Sequence, residues 1–294
     1  MRWEGERESS NVEDYRGDGG GGGGGLGGFG IGGRSIGIGT IVIALVGGAI
    51  FGINPLTILS LLSGGPAPQT QQAPAHQPPA QDRTARFVST VLADTEEVWK
   101  QQFAQGGATY REPKLALFDG AIRTGCGAGQ SAMGPFYCPA DEKVYIDLGF
   151  YRTLREQLGA PGEFAQAYVI AHEVGHHVQH LLGITDRVDQ LRSRGSQQQG
   201  NALSVRLELQ ADCFAGVWAR QSQQSKQWLD PGDIEAALNA AQKIGDDTLQ
   251  RSAGRAVVPE SFTHGSSAQR QRWFQAGWQG GNIKGCDTFR AASL

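Results

Sequence analysis

The sequence predicts an α+β fold, mainly helical with a small β-sheet, preceded by one transmembrane helix. Three observations carry this expectation. Downstream of residue 83 most apolar positions recur at helical spacing, two short segments alternate apolar with polar residues, and residues 35–63 carry no charge. The chain has 294 residues and a net charge of −3 with no basic block. No nucleic-acid partner is expected from such a charge pattern.

Residues 1–34 are polar and then almost pure glycine. Such a segment cannot bury enough apolar surface to offset its ordering entropy, so a disordered cytoplasmic tail is expected. The run at 35–63, SIGIGTIVIALVGGAIFGINPLTILSLLS, exceeds the roughly 20 residues that span a hydrocarbon core. Arg2, Arg7, Arg16 and Arg34 precede it, and no Lys or Arg follows until Arg83. That bias places the N-terminus inside and the remainder outside, with the lipid bilayer as a partner. The APA tripeptide at 73–75 is remote from the apolar run, which favours an uncleaved anchor. A Pro/Gln-rich linker, residues 64–83, then spaces a single domain, residues 84–294, from the membrane.

Within that domain Phe87, Val88, Val91, Leu92, Val98, Trp99 and Phe103 recur with helical period, predicting a helix over 84–105. KLALF at 114–118 and KVYIDL at 143–148 read as strands, the latter by the alternation of Val144, Ile146 and Leu148. A helix is punctuated by Pro161 and Gly183, and others are expected over 201–221, after Asp230 and over 266–278. Cys126, Cys138, Cys213 and Cys286 all fall on the outer side, where disulfides persist. No CxxC spacing supports a zinc site among them. Cys126 and Cys138 flank one short loop and are expected to pair, which by elimination leaves Cys213 with Cys286.

AHEVGHHVQH, residues 171–180, holds four of the chain's six histidines. His172 and His176 are one helical turn apart, so both rings leave the same face and can close on one metal ion. Glu173 lies beside them without a ligand's place; in an HExxH helix it acts as general base toward the attacking water. His180 is eight residues beyond His172, about 12 Å along the axis, too far for a third ligand from the same helix. The third ligand is sought in ELQAD, residues 208–212, where Glu208 and Asp212 share a face of an otherwise apolar helix. Glu208 is assigned to the metal and Asp212 to a histidine's far nitrogen, with the reverse assignment as the rival.

HEVGH followed by ELQAD resembles the gluzincin metallopeptidases. The wider set RWEGERESSNVEDYRG, TGCGAGQSAMGPFYCPAD, AHEVGHHVQ, LELQADCFAGVW and SFTHGSSAQR resembles the bacterial neutral zinc metallopeptidases with one membrane anchor. The resemblance implies a zincin-like domain, Zn2+ as cofactor, a peptide or protein substrate, and a periplasmic domain on the inner membrane. It also implies that His264 is catalytic, stabilising the oxyanion, and that Arg270 or Arg272 pairs with a carboxylate of the site.

The combined expectation is a membrane-anchored zinc endopeptidase in which His172, His176 and Glu208 hold the metal and Glu173 moves the proton. KVYID is expected to offer the edge strand on which an extended peptide lies. Two other classes compete. A zinc-stabilised scaffold domain would lack the general base, and an amidase acting on cell-wall material would share the same metal site.

Overall fold

The computed structural model, which describes residues 1–17, 75–131 and 134–294, builds its core on helix α1, Arg83–Gln105. Asp82 starts this helix by accepting the backbone N–H groups of Thr84 and Ala85, each at 3.0 Å. Phe87, Val88, Val91, Leu92, Val98 and Trp99 are buried along one face, as the spacing predicts. The expected span at 35–63 lies outside the described residues. Among the described residues no helix is long and apolar enough to cross a membrane.

On one side of α1 lies a four-stranded sheet of β1 (Val12–Asp14), β2 (Lys114–Phe118), β6 (Lys143–Asp147) and β5 (Phe136–Cys138), in that order. β1–β2 and β2–β6 are parallel, whereas β5 returns antiparallel to β6. β3 (Ala121–Thr124) and β4 (Gly127–Gln130) form a separate hairpin, tied back to β5 by the Cys126–Cys138 disulfide. The helical layer follows in chain order: α2 (Gly149–Glu156), α3 (Glu163–Leu181), α4 (Ile184–Arg192), α5 (Gln197–Lys226), α6 (Asp233–Lys243), α7 (Asp246–Ser252) and α8 (Ser267–Gly280).

Close backbone approach sets how these helices meet. A Cβ on Gly175 of α3 would lie 3.1 Å from the Ala211 carbonyl oxygen of α5, so a glycine there lets the two helices close. On the other side of α5 the fit is tighter. A Cβ on Gly277 would fall 1.9 Å from the Cys213 carbonyl oxygen, so α8 rests on α5 backbone to backbone. The Cys213–Cys286 disulfide then fastens the C-terminal segment to α5.

Two expectations need correction. The first concerns residues 1–17, which are not a disordered tail. Trp3 is 2% exposed, packs edge-on to Phe87 at 5.4 Å and donates its indole N–H to Glu163 at the start of α3. Arg7 pairs with Glu96 and Glu97 of α1, and β1 adds a parallel strand to the sheet while Glu13 bridges Lys114 and Lys143. The linker's end is docked as well. Asp14 and His76 exchange backbone hydrogen bonds at 2.8 and 3.1 Å, and Arg16 pairs with Asp82. The chain therefore leaves at residue 17 and returns at residue 75 beside the same sheet edge. One membrane crossing between those points would separate β1 from β2 by a bilayer, so a single pass with the N-terminus inside does not fit this fold. Cysteines introduced as Ser10→Cys and Gln81→Cys are expected to react with a membrane-impermeant maleimide from the same side. Labelling from opposite sides would mean that β1 does not pair with β2 in the cell.

The second concerns β6, which was expected at an edge. It lies between β2 and β5, and β5 covers Lys143 to Tyr145 on the side away from β2, so β6 is not an edge strand. The edge nearer α3 is β5, which packs against that helix.

Candidate metal centre

α3 and α5 cross where Gly175 meets Ala211, and that crossing brings HEVGH against ELQAD. His172 and His176 project from one face of α3, their rings 4.8 Å apart and perpendicular. Glu208 of α5 faces both. Its Oε2 lies 3.2 Å from His172 Nε2, and its Oε1 lies 3.4 Å from His176 Nε2. Zinc–nitrogen and zinc–oxygen bonds near 2.0–2.1 Å at tetrahedral angles separate neighbouring ligand atoms by about 3.3 Å. The three side chains thus fit one zinc ion with the fourth corner left to water or substrate. They form the one His/Cys/Asp/Glu group suited to a metal among the described residues.

The far nitrogens of both imidazoles are occupied by acceptors, which assigns a proton to each Nδ1. His172 Nδ1–H donates to Asp212 Oδ1 at 2.8 Å. Asp212 is fully buried and held by a two-point pairing with Arg270, at 2.9 Å to each oxygen, and by the Tyr168 hydroxyl at 2.5 Å. His176 Nδ1–H donates to Gln179 Oε1 at 2.9 Å. Nε2 of each ring is therefore left facing Glu208, where a bound metal would take the place of a proton. Of the two arginines considered, Arg270 reaches the site, while Arg272 bonds the C-terminal residues Ser293 and Leu294.

The electrostatics share one sense. Burial opposes charge on His172, yet Asp212 and Glu208 outweigh it and hold its pKa up at about 10. Burial would likewise raise Glu208, but the two histidines pull its carboxyl well below the usual range. The cluster is built to hold positive charge. Glu173 is the exception: it is 8% exposed, and burial pushes its pKa up despite the neighbouring imidazoles. A raised carboxylate pKa makes a stronger base at neutral pH.

His264 sits in the turn before α8. A Cβ on the next residue, Gly265, would lie 3.1 Å from Leu209 and 3.4 Å from Val205, so this turn rests on the stretch of α5 that carries Glu208. Asp246 builds the turn. Its Oδ2 accepts the backbone N–H groups of Thr263, His264 and Gly265 at 2.7–3.0 Å, and its Oδ1 lies 3.2 Å from His264 Nδ1. Asp246 is the first cause of a raised His264 pKa, to which the charge of Glu208 also contributes.

The other two histidines of α3 lie away from the centre. His177 Nε2–H donates to the Arg111 carbonyl at 2.6 Å, its Nδ1 accepts from the Tyr137 hydroxyl at 3.0 Å, and burial lowers its pKa to about 4. It is a neutral strut between α3 and the sheet. His180 faces Glu142 at 3.7 Å. Sequence reasoning missed Tyr168, Gln179 and Asp246. Tyr168 and Gln179 stand one turn before His172 and three residues after His176, positions that helical geometry places beside the ligands. Asp246 had no such local signal.

A family model described as "Putative neutral zinc metallopeptidase" matches residues 1–289. The chain is 53% identical over 289 residues to the "Uncharacterized protein YpfJ" of Escherichia coli K12, covering 98% of this chain and 99% of that protein. It is 44% identical over 223 residues to the "Uncharacterized protein Rv2575" of Mycobacterium tuberculosis, covering 71% and 73% of the two chains. No solved structure matches.

Proposed function

The chain belongs to the neutral zinc metallopeptidase family, and from that membership we propose that it hydrolyses peptide bonds with His172, His176 and Glu208 holding the zinc. The observation that carries this reading is the spacing of their ligand atoms beside a buried, basic Glu173. Bound there, zinc would polarise the scissile carbonyl and acidify water at the open position. Glu173 takes the proton as water attacks the carbonyl and delivers it to the departing amine. His264 supports the oxygen that gains negative charge. Because its Nδ1 is committed to Asp246, its Nε2 carries a proton only in the imidazolium form. The peptide lies along the free edge of β5 rather than β6. Both disulfides support an oxidising compartment, and the uncharged run at 35–63 supports attachment to a bilayer.

The purified chain is expected to hold one zinc, to cleave unstructured protein, to lose that activity to a chelator and to regain it with zinc. His264→Ala should lower kcat by about 10²–10³-fold. His264's raised pKa keeps its proton to higher pH, so activity is lost as pH rises through that pKa. Asp246→Asn removes the main cause of the shift, and the alkaline limb should move to lower pH. Zinc-loaded protein that cleaves a cell-wall amide but no peptide would make it an amidase; inertness toward both would leave a zinc-stabilised scaffold.

A further inference from the structure

We propose that the Cys213–Cys286 disulfide is coupled to the metal centre through two buried glutamines, Gln210 and Gln179, which act as positioning residues for His176. The chain of contacts is continuous. Cys286, pinned to α5 by its disulfide, presents its backbone carbonyl to Gln210 Nε2 at 2.9 Å. Gln210 Oε1 accepts from Gln179 Nε2 at 3.1 Å, and the same nitrogen donates to the Leu207 carbonyl at 2.7 Å. Gln179 Oε1 then accepts from His176 Nδ1 at 2.9 Å. Gln179 is fully buried and Gln210 nearly so, with no water-facing route to replace these bonds.

Each member has one workable orientation. Gln179 uses both amide hydrogens, one toward Leu207 and one toward Gln210, which leaves only its oxygen for His176. Turning that amide over would set oxygen against two acceptors and nitrogen against an imidazole N–H. Gln210 is fixed in the same way, because the Cys286 carbonyl can only accept. The C-terminal segment therefore dictates which imidazole nitrogen bears hydrogen and where Nε2 of His176 points. Leu207 immediately precedes Glu208, so Gln179 also registers the first helix's ligand against the second's. The 3₁₀ turn Ile283–Cys286 carries no residue of the proposed reaction, and this coupling gives it a part in holding the metal.

Thr288 and Arg206 hold the same segment independently, with the Thr288 hydroxyl donating to the Arg206 carbonyl at 2.6 Å. Loss of the disulfide alone should therefore disturb His176 less than loss of either glutamine. Gln221 supplies a control, since its amide bonds the Gly281 carbonyl at 2.5 Å without leading to His176.

The inference rests on the metal reading above, and the test separates the two. Zinc affinity by chelator competition and the visible spectrum of the cobalt-loaded protein would be measured for the full chain and four variants. Gln179→Leu should weaken zinc binding by about 10–100-fold, the range for an outer partner of a ligating histidine, and alter the cobalt bands. Gln210→Leu should produce a smaller change in both, and Cys213→Ser/Cys286→Ser the smallest. Gln221→Leu should leave both as in the wild type. Gln210→Leu indistinguishable from Gln221→Leu, in affinity and spectrum alike, would overturn the coupling even if the disulfide variant fails to fold. A wild-type chain that binds neither metal would overturn the metal reading and the coupling with it.

Discussion

Glu173→Gln is expected to keep one zinc per chain while hydrolysis falls by about 10²–10⁴-fold, the usual contribution of a positioned general base. The amide is nearly isosteric with the carboxylate but cannot accept the proton of the attacking water. Glu173 also stands apart from the three side chains whose ligand atoms converge, so its loss removes no metal bond. Its burial, which raises its pKa, makes it the group whose change alters proton transfer most. Metal content and turnover measured on the same preparation check this. Near wild-type turnover would remove Glu173 from the mechanism, and loss of zinc would place it among the ligands.

Arg270→Met is expected to destabilise the zinc-free protein by about 3–5 kcal/mol, the cost of leaving one charge of a buried pair unmatched. Arg270 and Asp212 are both essentially inaccessible, so solvent cannot screen the remaining carboxylate. Tyr168 and His172 would still donate to Asp212, but neither replaces the two-point guanidinium contact. The effect should reach the metal as well, because Asp212 fixes His172. Chemical denaturation of Arg270→Met beside Arg272→Met measures it. Arg272 bonds exposed C-terminal residues, and its loss should stay within about 0.5 kcal/mol. Equal destabilisation of the two variants would mean that His172 alone balances Asp212.

These expectations rest on features of two kinds. The HEVGH turn is local: the period of the helix places His172 and His176 on one face wherever α3 packs. The face shared by Glu208 and Asp212 is equally local, as are the apolar stripe that buries α1 and the ends of α3 at Pro161 and Gly183. Both disulfides were legible from the placement of four cysteines. The capping box of Ser196 and Gln199, which starts α5 four residues before the expected 201, was written in the sequence and passed over.

What the sequence by itself determined is therefore what depends on neighbours within a turn or two: helix faces, their ends, and the residue types a metal requires. Tertiary structure alone decided the partners. Polar residues 1–17 read as tail because Trp3, Arg7 and Glu13 find Glu163, Glu96 and the lysines of β2 and β6 about 90 to 160 residues away. Strand order is likewise non-local where β2 takes β1 on one side and β6 on the other, whereas the short hairpin by which β5 covers β6 was local and passed over. Arg270 was chosen over Arg272 by the packing of α8 on α5, and Asp246 reached His264 through a turn that pattern reading does not foresee. A hydrogen bond's worth depends on burial and on a partner's direction, and neither exists until distant segments have packed.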